Sequence, residues 1–350
     1  MPVQEIIAQA DALRGYCAEI FARSGIPADD ARLVADSLIE ADLRGVHSHG
    51  VMMVPGYVAN IRQGRVNRQP NIRVVRELAA GVLVDGDNGM GQVVARQAMT
   101  LAINKARQSG VGVASVMRST HYAAGAYWTQ MAVEQDMIGL ALTSAGAIIA
   151  PFGGRTKLFG TNPWTIAVPA QAEYPVVLDM ATSVMAGGKL AWASVRGDPV
   201  PPGWALDSED RPTTDPDKGL AGRLLPISGY KGYGLMVMVD MLATLLSGAA
   251  IGPEIMDNGR EGRPQNVGHY FQAIDVSAFM PLDAFKARVD EYTRLVRASE
   301  LEAGSAQVLM PGEREYRLAD KRRREGIPMP VTMLARLETI SKELGIAPVW

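Results

Sequence analysis

The spacing of apolar residues gives this chain helical ends and a mixed interior. Positions 4–24 read as one helix closed by Gly25. Pro27-Ala28-Asp29-Asp30 opens a second helix, with acids at its positive end. Its Leu33, Val34, Leu38 and Ile39 recur at helical spacing, and it runs toward the stretch RGVHSHG at 44–50. Gly81–Asp85 reads as a short strand, and Gln92–Gln108 as a helix. Gly112–Val116, Ile138–Ser144 and Val176–Asp179 have the continuous apolar character of buried strands. Residues 198–217, rich in Pro, Asp and Thr, read as a long surface loop. Tyr270–Ile274 is a further strand. Residues 282–303 form a helix on which Phe285, Val289, Tyr292 and Val296 step by helical turns. Lys321-Arg322-Arg323-Arg324 reads as a solvated helix face or loop.

The pattern predicts an α/β core with a helical domain built from both termini. The division expected is 1–75 with 300–350 for the helices, and 76–299 for the α/β part. Gly234–Gly252 is apolar over about the length of a membrane span. Asp240 interrupts it with a charge that is costly in lipid, so it reads as a helix buried inside a soluble domain.

Composition narrows the partners. Of 350 residues, 35 are basic and 37 acidic, a net charge of -2. No basic face is implied, which argues against nucleic acid. The single cysteine, Cys17, excludes an internal disulfide and fits a cytoplasmic protein. The N-terminus lacks the basic start and cleavage site of a signal peptide.

The chain has four histidines, and two of them, His47 and His49, flank Ser48 between glycines. Three readings fit. One imidazole can act as general acid/base with the serine holding it. Two imidazoles sharing a face can bind a metal, with His121 or another group completing the site. Or the group is a helix end with polar side chains tied to backbone. The Gly86-Asp87-Asn88-Gly89-Met90-Gly91 run tempts a dinucleotide reading. Val94 stands where close packing wants a small residue, Asp85 and Asp87 would repel a diphosphate, and no acid follows the next strand. It reads instead as a structural helix entry.

Several further groups carry small or polar residues next to strand ends, where ligands reach backbone amides. Together, ADLRGVHSHG (41–50), DGDNGMGQ (85–92), STHYAAG (119–125), FGTNP (159–163), LDMATS (178–183), GYKGYG (229–234), GHYFQAID (268–275) and MPGERE (310–315) resemble the type-two malate/L-lactate dehydrogenase family, also called sulfolactate-dehydrogenase-like oxidoreductases. The resemblance implies an NAD- or NADP-dependent interconversion of 2-oxo and 2-hydroxy acids. It implies a homodimer, and a non-Rossmann cofactor domain with a mixed, largely antiparallel sheet.

By the same resemblance, His49 is the proton donor/acceptor and Ser48 its relay partner. Cofactor contacts fall on His121, Tyr122, Ala123, Ala124, Gly125, Asp179, Met180, Ala181, Lys231, Pro311, Gly312 and Glu313. Thr161, Gly187 and Gly188 match substrate positions. Three positions depart from the family pattern. Met53 stands where many members carry a carboxylate-gripping arginine, leaving Lys189, Arg44 or backbone amides to take a substrate carboxylate. Lys189 replaces the acid of imine-reducing members, and Arg118 replaces an asparagine. Met53, Lys189 and the run GDPVPPG (197–203) look most like the hydroxycarboxylate dehydrogenase branch. The competing expectation is a metal-dependent lyase or hydrolase using His47, His49 and His121.

Overall fold

The computed structural model describes residues 4–255 and 263–350. Its first segment corrects the sequence expectation. Residues 4–24 are not one helix: β1 (Glu5–Ala8) precedes α1 (Ala10–Arg23). The Ile6-Ile7 pair favours an extended backbone, and its partner lies at the other end of the chain.

The elements then follow in order. They are α2 (Ala28–Leu43), α3 (Val54–Arg62), β2 (Arg73–Glu77), β3 (Gly81–Asp85), α4 (Gly91–Ser109), β4 (Val111–Ser119), α5 (Gly125–Val133), β5 (Met137–Thr143), β6 (Trp164–Val168) and β7 (Val176–Met180). After α6 (Gly187–Arg196), the segment read as a loop holds β8 (Ala205–Leu206), β9 (Pro212–Thr213) and α7 (Pro216–Ala221). The last part comprises β10 (Arg223–Leu224), α8 (Tyr230–Val239), β11 (Val267–Asp275), α9 (Leu282–Arg297), α10 (Glu313–Glu325), β12 (Ile327–Pro330) and α11 (Val331–Glu343). β12 pairs antiparallel with β1, Ile6 opposite Met329.

The main sheet has seven strands in the order β2-β3-β4-β11-β5-β6-β7. Only β3 and β4 run parallel, joined through α4; the other neighbours are antiparallel. This is the mixed, largely antiparallel sheet expected. β10, β8 and β9 form a small sheet of their own. One core packs Val84, Met99, Trp128 and Phe271 between the sheet, α4 and α5. A second gathers Leu13, Phe21, Leu38 and Ile61 with Met333 and Leu337 from the C-terminal helix.

Four further expectations need correction. β7 is an edge strand rather than a buried one, with Leu178 38% exposed. Its free edge takes a backbone bond, Val177 N donating to Pro311 O at 3.0 Å. α9 ends at Arg297, and Tyr292 faces outward. Asp290 on that helix turns inward to accept the amides of Gln171 and Ala172 at 3.0 and 2.8 Å. The basic run of α10 is a solvated helix face at Lys321, Arg323 and Arg324 as expected, but Arg322 is half-buried and donates to His47 Nε2 at 3.1 Å. Lastly, α8 continues into a π-helical turn, Asp240–Leu245, that is buried on one face only. Met236, Val239 and Ala243 are covered, while Met238, Met241, Leu245 and Leu246 are about half exposed. Hydrophobicity alone does not say which atoms will cover a face. Among the described residues, no helix is long and apolar enough to cross a membrane.

Candidate active site

The site begins at the C-terminus of α2. Asp42, fully buried, organises the turn that follows. Its carboxylate accepts from His47 Nδ1 at 2.6 Å and from the Val51 amide at 2.8 Å. Gly50 lies so close that a Cβ there would meet the Asp42 carboxylate at 2.2 Å, so this position admits no side chain. His47 is held on its other side by Arg322, and its ring stacks on Trp192 at 4.9 Å. With both ring nitrogens engaged, it fastens the turn to α6 and α10.

His49 is placed differently. Its Nδ1 lies 2.8 Å from Ser48 Oγ, and its ring stacks at 5.6 Å on His121. Ser48 and His49 line a cavity of about 880 Å³, inside the range of large ligand sites, roughly 300–1,000 Å³. Burial holds the His49 imidazole below its ordinary value; Asp179 pulls it up and Lys189 pushes it down. His121 lies behind His49 and does not line the cavity. Its Nδ1 is 2.7 Å from the Tyr57 hydroxyl. Burial, then His49 and His269, push it down to about 3, so it stays neutral.

The same cavity gathers Ala123, Ala124, Gly125, Thr161, Asp179, Met180, Ala181, Lys189, Pro311 and Gly312. Asp179 is fixed by the Ala126 amide and the Thr165 hydroxyl, both at 2.8 Å. Lys189 is exposed and forms no ion pair among the described residues. Small side chains and accessible backbone suit a long, flat, phosphate-bearing ligand better than a compact ion.

Other expected residues lie outside the cavity. The Tyr122 side chain is fully buried in the sheet core, between His269, Trp128 and Phe271. Glu313 is buried and bound by Arg297 and Arg317, so it holds the 310–313 turn. Met53 packs against the helical core. Lys231 is exposed on α8. Gly187 and Gly188 begin α6, and a Cβ on Gly188 would meet Ser48 Cβ at 2.8 Å. Arg118 is paired with Asp85 and Asp87 at 2.9 and 3.1 Å. Among the described residues, His47 shares no hydrogen-bond partner with His49 or His121. Among the described residues, no three His, Cys, Asp or Glu side chains converge as metal ligands. Asp42 falls inside ADLRGVHSHG but takes no role from it, and sequence motifs give no sign of Tyr57, Gln130 or Tyr316 at this site. Their signal is a contact between distant elements.

Comparison with known proteins agrees with this architecture. A family model described as malate/L-lactate dehydrogenase matches residues 8–338. Malate dehydrogenase of Pyrococcus horikoshii is 38% identical over 344 residues, covering 96% of this chain and 95% of that protein. Its solved structure superposes with a TM-score of 0.91 at 36% identity, over 99% of this chain and 98% of that one. L-sulfolactate dehydrogenase of Methanocaldococcus jannaschii is also 38% identical, over 94% of each chain. Hydroxycarboxylate dehydrogenase B of Escherichia coli O157:H7 is 32% identical, over 96% and 94%. The identities rank the malate and sulfolactate enzymes above that hydroxycarboxylate relative. On this coverage the chain belongs to the malate/L-lactate dehydrogenase family and is an oxidoreductase.

Proposed function

We propose that the protein interconverts 2-hydroxy and 2-oxo acids with NAD or NADP, and that His49 moves the proton. The observation that carries this is the placement of His49. It is held by Ser48 in the lining of a cavity that 123–126, 179–181 and 311–312 also line. Bound there, the nicotinamide supplies or accepts the hydride. The chain's own residues orient the substrate and handle its proton.

In oxidation, the hydroxyl proton passes to His49 Nε2 as the carbonyl forms. Ser48 Oγ accepts from Nδ1–H, which leaves Nε2 free as the base. In reduction, the imidazolium returns that proton to the oxygen. Because burial disfavours the charged ring, the resting site is set for oxidation. Lys189, free of carboxylate partners and acting on His49, is the proposed anchor of the substrate carboxylate, beside Thr161. Gly188 serves the site by letting α6 close on Ser48. Met53 has no contact role in this reading.

The exposed apolar face of α8, with Leu235, Met238, Met241 and Leu245, supports assembly as a homodimer. The one cysteine, Cys17, is buried and free, in keeping with the proposed cytoplasmic location. The deciding test is a spectrophotometric assay with NADH and NADPH against a panel of 2-oxo acids. We expect cofactor oxidation with at least one of them. Silence across the panel would overturn the reading.

A further inference from the structure

Arg44 is a buried charge that forms no ion pair among the described residues. It ends α2, is only 9% exposed and lines the cavity. Its Nη2 donates to Gln130 Oε1 at 2.7 Å, and its guanidinium lies 4.5 Å over the Tyr316 ring. Both partners are neutral. Gln130 is itself fixed, accepting from Tyr316 Oη at 3.1 Å and donating to Ala126 O at the same distance. Glu40, Glu134 and Glu315 line the same cavity, yet none pairs with Arg44 among the described residues. Glu40 is taken by Arg323 and Arg14.

A guanidinium withdrawn from water without an anion is costly. Holding it in one orientation against a ring and an amide makes sense when a ligand brings the negative charge. Its flat fork suits two phosphate oxygens. The substrate carboxylate is the weaker match. Lys189, whose charge acts on His49, is the nearer candidate for that carboxylate. The partners of Arg44, Gln130 and Tyr316, stand on α5 and α10, the helices that directly follow the 123–124 and 311–312 walls.

We infer that Arg44 is the anion anchor that grips the diphosphate of the bound dinucleotide, pre-set by Gln130 and Tyr316. This rests on the proposed nicotinamide reading, since a dinucleotide supplies the diphosphate. Arg44 positions the cofactor and leaves the proton to His49.

The test uses ADP-ribose, which carries the diphosphate but no nicotinamide, titrated by calorimetry into the full-length protein. Arg44→Met should weaken it about 10- to 100-fold, the range of a lost charge-assisted contact. Arg44→Lys, which keeps the charge but not the fork, should fall between. Adenosine, without phosphate, should bind all three alike, and this separates a lost contact from a damaged fold. Equal ADP-ribose affinity in folded Arg44→Met would overturn the inference. So would an equal loss of adenosine, or no ADP-ribose binding by the wild type. If ADP-ribose binding depends on Arg44 but no oxo acid is turned over, the proposed reaction fails and the anchor stands.

Discussion

Gly188 and Ser48 touch where α6 begins: a methyl group on Gly188 would lie 2.8 Å from Ser48 Cβ. Ser48 in turn holds His49. Gly188→Ala must therefore move either the helix start or the serine. We expect turnover to fall about 10- to 100-fold with thermal stability little changed, since small displacements of reacting groups are costly. Steady-state kinetics beside a melting curve checks this. Unaltered turnover would show that Ser48 does not depend on the α6 contact.

His49→Ala should lower turnover by about 10²- to 10⁴-fold, the usual worth of a general acid/base, and leave cofactor affinity near wild type. The pH profile gives a second readout. Burial holds His49 below its ordinary 6.5. Oxidation needs the neutral ring, so its rate should climb through an inflection below pH 6.5 and then level. Reduction needs the charged ring and should fall through the same region. Inflections above pH 6.5 in both directions would contradict the assignment.

His269 predicts acid sensitivity. It lies fully buried between Thr143 Oγ1 at 2.7 Å and Ser119 Oγ at 2.8 Å, and burial pushes it down to about 3. Between that value and 6.5 the unfolded chain binds a proton that the folded chain does not. Stability is thus lost as pH falls through this window, by about 2 kcal/mol for this histidine at pH 5. Urea unfolding at pH 7 and pH 5 measures it. His269→Asn should be less stable overall but lose less between the two; an equal loss would remove His269 as the cause.

Asp42→Asn keeps the shape and removes an acceptor. The amide nitrogen would face either the Val51 N–H or His47 Nδ1–H, now both satisfied. We expect about 1–3 kcal/mol of destabilisation from that clash, read by thermal or urea unfolding. A neutral effect would mean that the turn does not rely on the carboxylate.

The α8 face makes a prediction about assembly. Met238 and Leu245, 51% and 53% exposed, carry much of its apolar area. Met238→Lys with Leu245→Lys should shift the protein toward monomer in sedimentation or light scattering. A wild type that is already monomeric at micromolar concentration would refute the proposed dimer.

Periodicity and strand composition were enough to anticipate α2, α4, β3 and β5, because each satisfies its local pattern within one segment. β1 was hidden since four residues carry no period, and their partner, β12, is remote in sequence. The exposure of α8 was hidden because apolar content does not identify the covering surface. At the site, RGVHSHG marked His49 and Ser48. The separate duties of His47 and His49 emerge only from Asp42, Arg322 and Trp192. Arg44 was visible as a cation, whereas its lack of a carboxylate partner among the described residues is a property of three dimensions.

The β1–β12 ribbon joins two segments that are remote in sequence. The core around Leu13 and Phe21 is completed by Met333 and Leu337, so α1 and α11 bury their apolar faces together. Closing this ribbon also seats Arg322 beside His47, at the entrance to the turn that holds His49. A slip in the pairing of these two remote segments would thereby reach the clasp on His47.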